Sequence, residues 1–537
     1  MAVAPAGTPA APSARRDRVE RRPAPRALTV LGILAIVPSV VPIALLLIAG
    51  LENGATTAGI PPARLLDLAL STGGLALATT FGATTIGTAT AWLTTRTDLP
   101  GRRMWATLST IPLVIPSYVG ALTLLGASGN AGALSRLTAG IGLGTLPSFR
   151  GFWAAWVALT LWNFPFVHLL VAPALRRTAT VLEEAARGLG AGRWRMFATI
   201  VLPQLRPALS ASALLVALYT LSDFGAVSLL GYETFTKAIY AQFRGRIDVS
   251  PALFLSAVLV VLALIIIVAE RRTRGRAVLH SRHGGEPPAP IPLSPRSKLL
   301  SLVFLSLVTL AALGLPASVL GYWVWRGVSQ GIPIAGVGAE TLRAGLAGLL
   351  AAGATIAAAL PLAIITIRHR SRWSGWLESL AWSTYSLPHL AVGLAFLVVA
   401  IRFLPATYQT LVILVAAYVA MFLPQGLGAA QTALRQVRPA LEDASRGLGV
   451  SALTTFRKVT LPLMSPGLAA GAAIVFLSVM KELPATLLLR PTGFETLAVR
   501  IWSAASESLY ARASTAALVL LAVSSIPLYI LVTREPT

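Results

Sequence analysis

The chain has 537 residues, 55% hydrophobic and only 12% charged, where a soluble domain carries about 25% charged residues. Its net charge of +24 sits in short arginine-rich segments between apolar runs, which excludes a nucleic-acid-binding reading and fits basic cytoplasmic loops of a membrane protein. It has no cysteine, so disulfides, zinc–thiolate sites and thiol catalysis are excluded.

Residues 1–26, rich in Ala, Pro and Arg, read as a disordered cytoplasmic tail. The uncharged run 27–50 is too long for a signal-peptide core and reads as a retained first span. Further spans are expected near 66–95, 104–127, 151–175, 207–230 and 249–269. A second set falls near 299–323, 343–367, 376–401, 408–432, 466–489 and 513–533. The uncharged stretches 249–269, 299–325 and 513–533 each exceed the roughly 18 apolar residues that a bilayer-crossing helix needs. Residues 270–298 are basic and hold GGEPPAPIPLSP, the composition of a flexible or extended connector. The expected organisation is all-α and polytopic. About twelve transmembrane helices form two parallel six-helix repeats, 27–269 and 299–537. Arginines of the tail, Arg96, Arg102, Arg103, Arg176, Arg177, the linker and Arg368, Arg370 and Arg372 all fall on one side if both termini are cytoplasmic.

Between the fourth and fifth spans lies EEAARGLGAGRWRMFATIVLP, residues 183–203, and 259 residues later EDASRGLGVSALTTFRKVTLP, residues 442–462. Ten of 25 aligned positions from Glu183 and from Glu442 are identical without a gap, and the same offset pairs Pro165 with Pro424 and Asp223 with Glu482. Each segment reads as a short helix, a glycine bend and an amphipathic helix, with Pro203 and Pro207 marking the turn into the next span. An interfacial helix on anionic lipid would use the same residue types. Two copies at one topological place favour a protein partner that binds twice.

The segment resembles the EAA loop of binding-protein-dependent ABC importer permeases. The first copy carries the pattern in Glu184, Ala185, Ala186, Gly190, Ile200, Leu202 and Pro203, with Glu183 and Gly188 beside it. The second has Asp443, Ala444 and Ser445 in place of Glu-Ala-Ala, and Val459 in place of Ile. It keeps Gly449, Leu461 and Pro462, with Glu442 and Gly447 beside them. The resemblance implies the type I ABC importer transmembrane fold in a bacterial cytoplasmic membrane. It also implies two copies of an ABC ATPase docked at the loops, unequal in strength, and an external solute-binding protein. Segments near 231–248 and 490–510, with Arg244, Arg246, Arg500 and Glu507, are candidates to meet that protein.

A phosphate-binding loop needs Gly-Lys-Ser/Thr, and none of the four lysines, Lys237, Lys298, Lys458 and Lys481, follows a glycine. No catalytic residue and no cofactor is expected on this chain; ATP and magnesium belong to the partner ATPase. The rival class is a secondary transporter. RTDLPGRR is similar to a major facilitator loop in Asp98, Gly101, Arg102 and Arg103, but Leu99 and Pro100 depart from it.

Asp223, Lys481 and Glu482 interrupt apolar spans and are candidates for the translocation pathway, because intramembrane charges face cavities or one another. Each acid follows a proline by 16 residues, about 24 Å along a helix. The competing reading is a structural cluster in which Lys481 bridges the two acids. His168 and His389 read as packed, hydrogen-bonded histidines, with no metal site expected. Segments 222–243 and 481–502 look like the fused permeases of ferric iron importers, which makes ferric iron the expected cargo. Related fused permeases for thiamine, phosphonate or another small solute give the alternative.

Overall fold

Apolar side chains and internally paired backbone dictate helices wherever this chain meets lipid. The computed structural model describes residues 25–52, 59–129, 132–142, 144–177, 183, 186, 188–190, 192–245, 248–273, 290–332 and 337–534. Among them, nine helices are long and apolar enough to cross a bilayer. They are Arg26–Gly50, Pro62–Arg96, Phe152–Arg176, Phe197–Ser222, Ser250–Glu270, Pro295–Ser329, Val337–Arg368, Leu411–Gln436 and Ala452–Met480. The C-terminal helix, Tyr510–Arg534, takes the place of the twelfth expected span. Residues 1–24 of the expected tail and the 274–289 part of the linker lie outside the described residues.

The third and ninth spans are not straight. Arg102–Val114 and Ser117–Ala127 meet at 93°, and Arg372–Ser383 gives way to His389–Arg402 across the short 3-10 turn Thr384–Ser386 and Pro388. Both breaks precede a proline. Ile115 before Pro116 and Leu387 before Pro388 are held extended, a conformation the proline ring favours in its predecessor by disfavouring the helical region.

The fifth and eleventh spans end early. Expected at 207–230 and 466–489, they stop at Ser222 and Met480 and restart as Gly225–Leu229 and Pro484–Leu489. They also begin earlier than expected. Pro203 and Pro207 mark no turn, for Leu202–Ser222 continues straight from a π-helical turn, Phe197–Val201. Pro203 has no N–H for an α-helical bond to Thr199, and the i→i+5 bond from Leu202 to the Phe197 carbonyl absorbs the defect. The second copy repeats the device, with Leu461 bonding Phe456 ahead of Pro462.

The halves are parallel repeats whose first helices are exchanged. Arg26–Glu52 packs on the second half, with Ala35 and Ile36 buried against Ala359, Leu362 and Ile365. Pro295–Ser329 packs on the first half, with Ala312 beside Phe164 and Trp323 donating to the Gly126 carbonyl at 2.9 Å. Close approach inside each half relies on small residues. A Cβ on Gly87 would stand 2.5 Å from the Val167 side chain, and one on Gly426 2.8 Å from Thr355.

Part of the linker is fixed. Ile291 bridges Thr97, and Asp98 accepts from the Leu293 N–H at 2.9 Å and pairs with Lys298 at 2.7 Å. Residues 295–298 already belong to the Pro295–Thr309 helix. Asp98 is therefore the anchor of the linker's end, a role its likeness to a facilitator loop did not suggest.

Candidate functional site

The second of the two repeated loops has the expected three parts. Pro439–Gly447 is a short helix, Gly449 turns the chain at φ +79°, and a helix resumes at Ala452. The Gly449 N–H donates to the Arg446 carbonyl at 2.9 Å and the Val450 N–H to Ser445 at 3.3 Å. This pair of bonds closes a helix end with a left-handed residue, the conformation that glycine adopts at least cost. In the first loop Gly190 has φ +78°. Glu184 and Ala185 lie outside the described residues, while Ala186, Gly188, Ile200, Leu202 and Pro203 are helical, as are Ser445, Gly447, Val459, Leu461 and Pro462.

Two features of the loops escaped the sequence reading. Leu189 and Leu448, equivalent at the bend, are 89% and 85% exposed. The pair is a repeated apolar tip on a polar loop, and its signal was the identical RGLG in both copies. Glu183 and Glu442, in contrast, face inward. Glu183 pairs with Arg96, both side chains 1% exposed, and Glu442 accepts from Arg368 Nε and Nη2 at 3.2 Å each. Among the described residues Asp443 pairs with its neighbour Arg446 alone, and it is exposed. Arg96 and Arg368 stand 272 residues apart rather than 259, because the first half carries a longer connection before its fourth span. A fixed-offset comparison misses them.

The three pathway candidates meet in one cavity of about 520 Å³ lined by both halves. Asp223 and Glu482 occupy equivalent places at its wall, each just beyond a helix end. Asp223 Oδ1 accepts from the N–H groups of Ala226 and Val227 at 3.0 and 3.3 Å, and Ser117 donates its hydroxyl to Oδ2. Glu482 accepts from the Ala485 and Thr486 N–H groups at 3.0 Å each, one on each oxygen, and from the Thr486 hydroxyl. The acids thus hold the first N–H groups of the short helices that follow them.

Lys481 does not bridge the acids. Its ammonium reaches across to the Leu113 carbonyl of the other half at 3.3 Å, and no carboxylate lies within ion-pair distance among the described residues. The remaining lining includes His389, Tyr385, Gln425 and Ser478 from the second half and Tyr219, Ser222 and Asn163 from the first. Tyr219 and Tyr385 bring one phenol from each half to this wall. His389 is no mere packed residue. It takes the place of Ser117, with Nδ1 3.7 Å from Glu482 and its ring edge-on to Phe422. His168 is buried and bonds the Thr90 hydroxyl at 3.0 Å, as expected.

Of the residues expected to meet a binding protein, Arg500 is held by Glu340 at 3.3 Å and Glu495 at 3.6 Å. Arg244 lies over the Tyr240 ring, Glu507 is exposed, and Arg246 lies outside the described residues.

The sequence pattern of the family described as binding-protein-dependent transport system inner membrane component matches residues 83–269 and again 355–534. The chain is 33% identical over 523 residues to the Fe(3+)-transport system permease protein FbpB 2 of Haemophilus influenzae, covering 95% of this chain and 98% of that one. It is 25% identical over 431 residues to the ferric transport system permease protein FbpB of Actinobacillus pleuropneumoniae, 76% of this chain and 62% of that one. It is 35% identical over 182 residues to the molybdenum transport system permease protein ModB of Escherichia coli, 33% of this chain and 78% of that one.

Proposed function

This chain belongs to the binding-protein-dependent transport system inner membrane components, and on that premise we propose that it is the fused permease of an ATP-driven importer whose cargo is ferric iron. The observation that carries the cargo is the full-length likeness to a protein named for Fe(3+) transport, which spans both halves and the cavity between them. The molybdenum permease matches a third of the chain. The tyrosine and serine oxygens and the two carboxylates of the cavity are of the hard donor type that Fe(III) prefers.

Two copies of a separate ATPase dock at 183–203 and 442–462, where Leu189 and Leu448 offer apolar tips, and an external binding protein delivers the cargo. ATP and its magnesium are held by those ATPase subunits, since this chain lacks a phosphate-binding loop. The cavity between exchanged halves opens to either side in turn as the ATPase pair closes and opens.

An oxyanion is the second reading. Lys481 is the fixed cation of the cavity among the described residues and has only a carbonyl as partner. The test is uptake into proteoliposomes holding the permease with the ATPase and binding protein of its own gene neighbourhood. Labelled ferric iron is expected to accumulate with ATP, while molybdate and thiamine stay out. Accumulation of molybdate or thiamine alone overturns the iron assignment, and cargo movement without any ATPase overturns the importer.

A further inference from the structure

At each cytoplasmic loop one arginine gathers three elements. Arg96 ends the Pro62–Arg96 helix; its guanidinium donates to the Leu175 carbonyl at 3.4 Å, near the end of Phe152–Arg176, and ion-pairs with Glu183 where the first loop opens. Arg368 ends Val337–Arg368. It donates to the Leu434 and Val437 carbonyls at 3.3 and 2.9 Å and holds Glu442 through two nitrogens. Leu175 and Leu434, like Glu183 and Glu442, are equivalent at the 259-residue offset. The same three-way junction is therefore built twice from one design.

Stability alone is a poor reason for it. A buried ion pair gives back in Coulomb energy little more than it loses in desolvation, and well-packed apolar residues serve as well. What a guanidinium that donates to several groups at once supplies is fixed geometry between them. Here those groups are the loop, the end of the fourth span and the long second span. That long helix is packed along Phe152–Arg176 through Gly87 and touches Leu202–Ser222, whose far end carries Asp223 and the cavity wall. Val337–Arg368 has the same neighbours in the second half, Leu411–Gln436 and Leu461–Met480.

We propose that Arg96 and Arg368 are positioning residues for coupling: they clamp the ATPase-binding loops to the membrane helices, so that displacement of a loop moves the long helices and reshapes the cavity. The proposal rests on the ATP-driven importer reading. The clamps differ in solvent access. The side chains of the first pair are 1% exposed, and those of the second are 19% and 13% exposed. Loss of the first clamp therefore has the larger effect.

The absence of cysteine makes the test direct. Ser222→Cys places a single thiol at the cavity, and its rate of maleimide labelling is followed with and without ATP in the full permease–ATPase–binding-protein complex. ATP is expected to change that rate in the parent. In Arg96→Gln and Arg368→Gln, ATP hydrolysis stays within about two-fold of the parent while the ATP-dependent change in labelling shrinks about ten-fold. Arg368→Lys, which keeps a cation beside Glu442, recovers part of the response. An undiminished labelling response in both glutamine variants overturns the proposal. So does a fall of hydrolysis and response in step, which marks a purely structural role. A parent that shows neither hydrolysis nor response sinks the importer reading itself, and is told apart because it needs no variant.

Discussion

Gly449 and Gly190 adopt left-handed backbone, yet a Cβ on either would meet nothing within 4 Å. Substitution there acts through backbone strain, about 1–2 kcal/mol for an ordinary residue in this region, and not through a clash. Gly449→Val is expected to distort the helix end and weaken ATPase binding, measured by titration of the purified ATPase, whereas Gly449→Asn retains it because asparagine tolerates this conformation. Equal loss in both would show that side-chain bulk and not φ is at fault. The cavity acids make a second residue-scale contrast. In Asp223→Asn the remaining oxygen still accepts both N–H groups and the new amide donates to Ser117, so thermal stability should change by less than about 0.5 kcal/mol. In Glu482→Gln an amide nitrogen must face a backbone N–H, because each oxygen of Glu482 serves its own donor; a loss of about 1–3 kcal/mol is expected. Cargo uptake by the stable Asp223→Asn variant then isolates the effect of charge, and unchanged uptake would remove Asp223 from the pathway.

At the scale of elements, the span pattern was legible because hydropathy sets which segments enter lipid. The breaks were not. Pro116 and Pro388 were visible as prolines, but Pro165 and Pro424 sit inside unbroken helices, so proline alone does not say where a helix bends. The linker shows the same limit. Its composition reads as a flexible or extended connector, while Asp98 ties its end to the turn between the second and third spans. The hydrogen bond from Lys298 holds the Asp98 carboxyl below its usual range. A lowered carboxylate pKa stabilises above the unfolded value and fails as pH falls through the folded one, so the tie persists through the ordinary aspartate range near 4 and is lost only in stronger acid. Asp98→Ala should speed protease cleavage between 274 and 298 at neutral pH, and an unchanged cleavage rate would show that the bridge to Ile291 suffices alone.

For the whole molecule, the exchanged first helices mean that neither half buries its surfaces without the other. Arg26–Glu52 shares a core with Val337–Arg368, and Pro295–Ser329 with the first half. A chain cut within 274–289 and expressed as two pieces is therefore expected to copurify as one particle in detergent. Separate elution of the pieces would contradict the exchange. The pieces are also expected to keep the cavity, since its wall draws on both halves and the cut lies far from it in sequence.

The sequence by itself determined the helical class, the repeat, the two loops and the candidate acids. These are properties of local hydropathy and of short identical segments, which survive without knowledge of neighbours. Only the tertiary structure decided that Glu183 and Glu442 turn inward to arginines, that Lys481 holds a carbonyl and not the acids, and that His389 stands beside Glu482. Those pairings join residues up to 368 positions apart, across two halves whose offset shifts from 272 to 259 between the second span and the loop. What a charged side chain does in lipid is set by which polar group it can reach once the helices have packed.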